Sequence, residues 1–506
     1  MKLLQALGMA VLALAAVGAA SAQSEWQPVQ NVPNIGAGAV ALLTDGRVLV
    51  HDESGNLGTW QNWWTLTPDA SGNYATGTWT QVASLPSTYG PLYFSSAVLP
   101  DGRYIIEGGE YNNGNDAWTN MGAIYDPVAN TWTSVSPPSG WASIGDSPSV
   151  VLANRTYMQT SCCDTQKQAA LLDASTLTWT STGTGKFDIY DEEGMTLLPG
   201  GRVIDVDAYV FQYNSAGKNW ETYDAHSGAW TSQGSTPAQY WDSAADCGGQ
   251  GRATYELGPA VLMPNGTVYQ TGANSCGAGH TGVYNVSSGT WTAGPDFPGN
   301  FDIADGPAAL EVNGNVLMMA SPGFGDTGAE FFEWNGSTLT EISGPPNGPS
   351  DSSYYGHMLM LPTGQILFTD FSNDVELFTS TGSQYTGWNP TVILTSATIQ
   401  GGTTIKLSGY KFNGASQNNA YGDDFQDATN YPIVRFTSQT SGIVYYARTH
   451  DHSTMAVGYV GPTFTSVDVP NVSTSGEYNM QVVVNGIASQ NYPIGIRGCC
   501  LAANQR

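Results

Sequence analysis

The chain has 506 residues and a formal net charge of −27, from 42 acidic residues against 15 Lys and Arg. A field of that sign excludes nucleic acid and anionic lipid as partners. Only 11% of residues are charged, whereas Gly numbers 61 and Trp 15, which suits a turn-rich all-β protein and excludes a helical or disordered one.

In chain order, the first segment is MKLLQALGMAVLALAAVGAASAQ. Lys2 precedes an apolar run, and Ala20-Ser21-Ala22 makes a small-residue cleavage site. The segment reads as a secretory signal peptide over 1–22, so the expected location is secreted, extracellular or periplasmic. No other segment is apolar enough to span a bilayer. Six cysteines in an exported chain predict disulfides. Cys247 and Cys276 are the natural long-range pair. Cys162-Cys163 and Cys499-Cys500 are adjacent pairs, each able to close on itself or to cross-link with the other.

From residue 39 one phrase recurs seven times: an apolar strand, a tight turn and a second strand. The turns are Asp45-Gly46, Asp101-Gly102, Asn154-Arg155, Gly200-Gly201, Asn265-Gly266, Asn313-Gly314 and Thr363-Gly364, spaced 56, 53, 46, 65, 48 and 50 residues apart. A period near fifty predicts a seven-bladed β-propeller with four strands per blade. The fourth strand carries Thr-Trp, as at Trp132, Trp179, Trp230 and Trp291, placed to pack between blades. The seventh unit lacks that strand. SEWQPVQNVPN at the N-terminus is expected to supply it, with Trp26 in the tryptophan's place, closing the ring.

The propeller is predicted over 24–385, with a boundary at Gly387-Trp388-Asn389-Pro390. Residues 389–497 alternate apolar and polar without the fifty-residue period and predict an immunoglobulin-like β-sandwich; 498–506 form a tail. Within that module SGYKFNGASQNNAYGDDFQDATNYP reads as a long solvated loop, with calcium on Asp423, Asp424 and Asp427 as the other reading. Asn285 and Asn471 stand in Asn-x-Ser/Thr motifs.

Aligned on the turn, the residue that opens each innermost strand is Ala37, Tyr93, Asp146, Glu192, Leu257, Asp305 and Tyr355. Asp191, Glu193, Glu256 and Tyr354 flank these positions. Equivalent positions in a repeat normally carry equivalent packing residues, but these differ from blade to blade. Asp146, Glu192, Glu193, Glu256, Asp305 and Tyr355 are therefore the expected ligand-binding mouth, against the alternatives of a solvated rim or an axial cation site.

The repeats resemble kelch repeats, and their order with a signal peptide and an immunoglobulin-like module resembles the galactose oxidase/glyoxal oxidase family. The resemblance covers nearly the whole mature chain. It implies one copper on the axis, held by two histidines and two tyrosines, with one tyrosine cross-linked to a cysteine as the radical cofactor. YFSSAVLPDGR places Tyr93 at the cross-linked tyrosine, SYYGHMLMLPTG places Tyr354 at the axial tyrosine, and YYARTHDHSTM places His450 at a histidine ligand. Tyr355 stands where the second histidine belongs, and Ala37 where the cysteine belongs. Two of the five groups are thus absent, which removes a main copper donor and the thioether that stabilises the radical. His357, two residues beyond Tyr355 on the same strand face, is a substitute ligand about 6–7 Å deeper.

Two readings need no radical site. His450 and His452 form a His-x-His pair that suits a metal or an interdomain hydrogen bond. The carboxylates suit acid–base glycoside cleavage, with Tyr240, Trp241 and Tyr255 placed for sugar stacking or for packing and Arg252 the only cation nearby. The expected role is extracellular recognition of a glycan or a surface partner by a monomer. The alternatives are a copper- or other metal-dependent oxidoreductase with a rearranged site, using Tyr93, Tyr354, His450 and His357, and a glycoside hydrolase or lyase.

Overall fold

The computed structural model describes residues 25–55, 60–163, 165–210, 217–243, 254–393, 396–472 and 474–498. The signal peptide, Cys247, Arg252 and Cys499-Cys500 lie outside them. No helix among the described residues is long and apolar enough to cross a membrane.

The repeated phrase folds as antiparallel sheets of consecutive strands. Blade 1 is Ala37–Leu42, Val48–Asp52, Trp63–Thr67 and Thr78–Gln81. The innermost strands of blades 2 to 7 are Ser95–Val98, Ser149–Val151, Thr196–Leu197, Ala260–Leu262, Ala308–Leu310 and His357–Met360. Each pairs only with the next strand of its own phrase, apart from that of blade 6, which also takes a short foreign strand. The innermost strand of blade 7 lies beside that of blade 1, which closes the ring.

That closure is made as the sequence predicts. Trp26–Pro28 pairs antiparallel with Glu376–Phe378, Trp26 opposite Phe378. The Trp26 ring sits 5.0 Å from Phe331 and 5.0 Å from Phe378, and its Nε1 donates to the Ser343 carbonyl at 2.7 Å. The tryptophans stitch neighbouring blades: Trp132 donates to Ala83 O at 2.8 Å and Trp179 to Ser136 O at 2.7 Å. The Asp-Gly-Arg turns also link neighbouring blades. Gly46 takes a φ of 81° that only glycine adopts freely, and Arg47 then bonds Asp45 at 2.6 Å and reaches Pro127 O in blade 2 at 3.1 Å. Arg103 repeats this from Asp101 to Ala174 O in blade 3.

After residue 390 two sheets face each other. One orders Thr391–Ile393, Thr404–Tyr410, Pro462–Asp468 and Thr449–His450; the other holds Thr398–Gln400, Tyr492–Arg497, Gly476–Val484, Ile433–Ser438 and Val444–Ala447. Leu407, Phe436, Val467, Met480 and Ile494 fill the space between them.

The predicted solvated loop is the main correction. Residues 412–427 are buried, save Ala420, which is half-buried. They run into the propeller axis as a finger, where Asn419–Ala420 pairs with Ala308 and Ala309 of blade 6. Its amide side chains take the backbone groups that the innermost strands leave open. Gln417 Oε1 accepts from Leu197 N at 2.7 Å, Asn419 Oδ1 from Met360 N at 3.0 Å, and Asn418 Nδ2 donates to Leu310 O at 2.9 Å. Gln426 Nε2 donates to Met195 O at 3.1 Å. Buried backbone groups require such partners, so a polar sequence is the correct filling for this channel.

Blade 4 buries an ion cluster. Lys186 Nζ lies 2.8 Å from Asp188, 2.9 Å from Glu193, 2.9 Å from Asp207, 3.0 Å from Glu221 and 3.4 Å from Asp205. Burial alone would lower the ammonium's pKa, but the carboxylates outweigh it and hold it charged. Glu193, expected at the mouth, belongs to this cluster instead.

Two outcomes follow. Trp26→Ala should lower unfolding stability by about 3–5 kcal/mol in denaturant titration, because a large ring is lost at the one seam that closes the circle. Burial pushes Asp188 up to about 8 despite Lys186, and Glu221 to about 6; it also lifts Glu311, beside Glu333, and Glu376, beside Asp374, each to about 8. Folded, these acids keep protons that the unfolded chain releases near pH ~4. Their contribution is complete below about pH 4 and is lost as pH rises through 6 to 8. The melting temperature should therefore fall from pH 5 to pH 9.

Candidate functional site

The residue that opens each innermost strand sets the site. Tyr93, Glu192 and Asp305 hold φ values of 50°, 59° and 54°, and Gly145 before Asp146 holds 67°. The left-handed region costs a non-glycine residue about 1 kcal/mol or more, and here it recurs at equivalent positions of three blades. The strained backbone turns these side chains out of the sheet and into the axial channel.

They meet in a cavity of about 460 Å³. Tyr93, Asp146, Glu192, Glu256, Asp305 and Tyr354 line it from the blades, joined by Glu110 and Tyr111 of the blade 2 loop, Thr254 and Phe324. The finger contributes Tyr421, Asp423 and Asp424. Gly422 lets it enter: a Cβ there would strike Asp305 Oδ1 at 2.2 Å. Tyr421 Oη donates to the Tyr354 carbonyl at 2.7 Å. The Tyr93 ring lies 6.5 Å from Tyr354 and 6.1 Å from Tyr111. A larger groove of 610 Å³ between blades 3 and 4 is an inter-blade crevice around Trp141 and Trp179, without converging acids.

Among the described residues no cationic side chain lines the axial cavity; Arg252 lies outside them. Burial and mutual repulsion therefore raise its carboxyl groups. Burial, then Asp423, pushes Glu110 to about 7; burial pushes Glu256 to about 8 and Asp423 to about 6. Asp146, Glu192, Asp305 and Asp424 are also held well above the usual carboxylate range, burial first and neighbouring acids second. At the wall, Cys162 and Cys163 are joined by a disulfide, and Cys162 Sγ lies 2.9 Å from Asp146 Oδ1.

Of the expected mouth, Asp146, Glu192, Glu256 and Asp305 converge with Tyr93 and Tyr354. Tyr355 does not line the cavity; it packs on Tyr354 at 4.3 Å and Phe371 at 5.3 Å. His450 is a second correction. Its segment runs along the turn end of the propeller, where Thr449 N donates to Thr44 O and Arg448 to Asp101 O. The innermost strand puts that end about 20 Å from the mouth. His450 bonds Asp451 at 2.7 Å and Asp468 at 3.3 Å, while His452 is buried against Thr465 and Tyr431, so the two do not form a shared metal pair. His357 lies behind the finger, stacked on Tyr421 at 5.4 Å and edge-on to Phe425 at 4.8 Å, and burial lowers it to about 4. Asp427 is buried beside Tyr431 and Tyr104, away from the cavity. Trp241 and Tyr255 stack on one another at 5.5 Å, and Tyr240 is core. Cys276 is disulfide-bonded, and its expected partner Cys247 lies outside the described residues. Sequence reasoning missed Glu110, Tyr111 and Tyr421. The one available signal was the presence of Tyr421 and Phe425 inside an amide-rich loop, since solvated loops seldom carry such rings.

No protein-family profile matches the chain, and no curated protein does. Among solved structures it is similar to a fungal alcohol oxidase of the AA5 family in complex with copper, at TM-score 0.52 and 13% identity, over 93% of this chain and 99% of that one. The fold is galactose oxidase-like: a β-propeller followed by an immunoglobulin-like module. The donors at its axis do not fit the copper centre that the class implies. The cavity presents carboxylates and phenols with no imidazole, and no cysteine stands at Ala37.

Asn419→Ala should cost about 1–3 kcal/mol in chemical denaturation, because Met360 N–H would be left buried without an acceptor. Tyr421→Phe, which gives up one hydrogen bond to an otherwise intact carbonyl, should cost about 1 kcal/mol.

Proposed function

We propose that the axial cavity binds a neutral polyhydroxylated ligand, a sugar or glycan terminus, as an extracellular recognition site. The observation that carries this is its lining: many hydrogen-bond acceptors, several aromatic rings and, among the described residues, no cation. Hydroxyl groups donate to the carboxyl oxygens, and the Tyr93, Tyr111, Phe324 and Tyr354 rings offer apolar faces to the C–H side of a sugar ring. The same acids repel anionic ligands, so acidic sugars are excluded.

A second reading, favoured by Glu256 sitting near 8 among close carboxylates, is glycoside cleavage with Glu256 as general acid. A metal-dependent oxidoreductase built on Tyr93 and Tyr354 is the third, supported by the shared architecture with the fungal oxidase alone.

A glycan array followed by calorimetry on the mature protein tests recognition. Neutral glycans should bind, and Tyr111→Ala at the half-buried rim should weaken binding about tenfold or more, the loss of one stacked ring. Failure of every neutral glycan and polyol to bind would remove the reading. Release of reducing ends would move it to hydrolysis, and peroxide formed from an alcohol would move it to oxidation.

A further inference from the structure

Two groups of oxygens in the cavity share one residue. Asp146, Glu192 and Asp423 each bring a carboxylate oxygen within 4.8 Å of the other two, and Glu192, Glu256 and Asp305 do the same. Oxygens bonded to one Ca²⁺ at about 2.3–2.6 Å lie at most about 5 Å apart. Each group therefore already fits one coordination sphere.

The proximity of acids would not by itself make a site. Glu256 supplies an independent observation. It is 6% exposed, lines the cavity, and its Oε2 faces no hydrogen-bond donor other than the neighbouring carboxyls of Glu192 and Asp305. Asp305 Oδ1 likewise has only the Glu256 carboxyl. A buried carboxylate oxygen without a donor needs a positive partner or a proton of its own. Blade 4 shows how this chain meets that need with its own residues, by placing Lys186 among five carboxylates. The cavity has the same crowding and, among the described residues, no such side chain.

The donors also restrict the ion. Both groups are carboxylate oxygen throughout, and the nearby sulfurs are tied in the Cys162–Cys163 disulfide and offer no thiolate. Hard oxygen donors suit Ca²⁺, Mg²⁺ and Mn²⁺ rather than copper or zinc. The ligands come from blades 3 to 6 and the finger, and such an irregular set suits Ca²⁺ better than the strict octahedron of Mg²⁺.

We propose that the cavity floor binds a pair of hard divalent cations of the Ca²⁺ class, one held by Asp146, Glu192 and Asp423, the other by Glu192, Glu256 and Asp305, with Glu192 bridging them. Two such ions bring +4 against the −5 of these carboxylates. Asp423 belongs to the finger, so the first ion ties the C-terminal module to blades 3 and 4. The proposal does not depend on the ligand reading, because the ions are held by protein oxygens and water or sugar hydroxyls complete their shells.

The test uses chelator-treated mature protein with no sugar present. Titration with CaCl₂, read by calorimetry and native mass spectrometry, should give two ions per chain and a rise in melting temperature. Glu256→Gln should lose one ion and Asp423→Asn should lose one, while Glu192→Gln should weaken both at least tenfold. Each variant removes repulsion in the free protein and should melt no lower than wild type without Ca²⁺, which checks that it folds. No binding of Ca²⁺, Mg²⁺ or Mn²⁺ at millimolar concentration, a stoichiometry of one, or binding undiminished in Glu192→Gln would overturn the proposal and leave protons as the groups that neutralise the cluster.

Discussion

The whole arrangement rests on an exchange of hydrogen bonds along the propeller axis. Within the blades each innermost strand pairs on one side only, so its other edge presents N–H and C=O groups to the channel, and in blade 6 the finger itself pairs with that edge. Gln417, Asn418, Asn419 and Gln426 meet four of these groups in blades 4, 6 and 7. An apolar plug would leave those groups unsatisfied, at a cost of about 1–3 kcal/mol each. An open channel would hydrate them but would leave the mouth without a floor. The finger solves both problems and fixes where Tyr421, Asp423 and Asp424 stand.

Once the finger is in place, the chemistry of the cavity follows from exclusion. The channel is largely buried, and the residues delivered to it are acids and phenols. Their charges cannot all persist unpaired in such surroundings. In blade 4 an ammonium eases the conflict, with protons retained on acids such as Asp188. At the mouth the described residues supply no counter-charge, and the site is left with an appetite for protons, hydroxyl donors or cations. The acidic bias of the whole chain, with its 42 acidic residues, points the same way.

The likeness to the galactose oxidase class and the difference from it lie on separate levels. The overall fold is shared, over 93% of this chain. The axial donors are not: the finger brings carboxylates and a tyrosine, His357 is sealed behind Tyr421, and His450 sits at the far end of the propeller. A common scaffold therefore carries a different site, as expected when function resides in the loops and not in the sheets.

Periodicity determined much from the sequence alone. The turn spacing, the Thr-Trp strands and Trp26 supplying the missing edge are local patterns whose partners are implied by repetition, and the mouth acids Asp146, Glu192, Glu256 and Asp305 could be named from their place in the repeat. Repetition had no hold on what enters the ring from outside it. The polarity of residues 412–427 reads locally as solvent exposure, and only the assembled channel shows that its backbone needs those amides. His450 was placed by motif, but the side on which the sandwich lies decides which of its loops reaches the axis. Glu193 differs from Glu192 by one residue, and the left-handed φ at Glu192 sends the two to opposite environments: one to the cavity, the other to Lys186. Such choices depend on backbone conformation and on distant segments meeting, which tertiary structure alone settles.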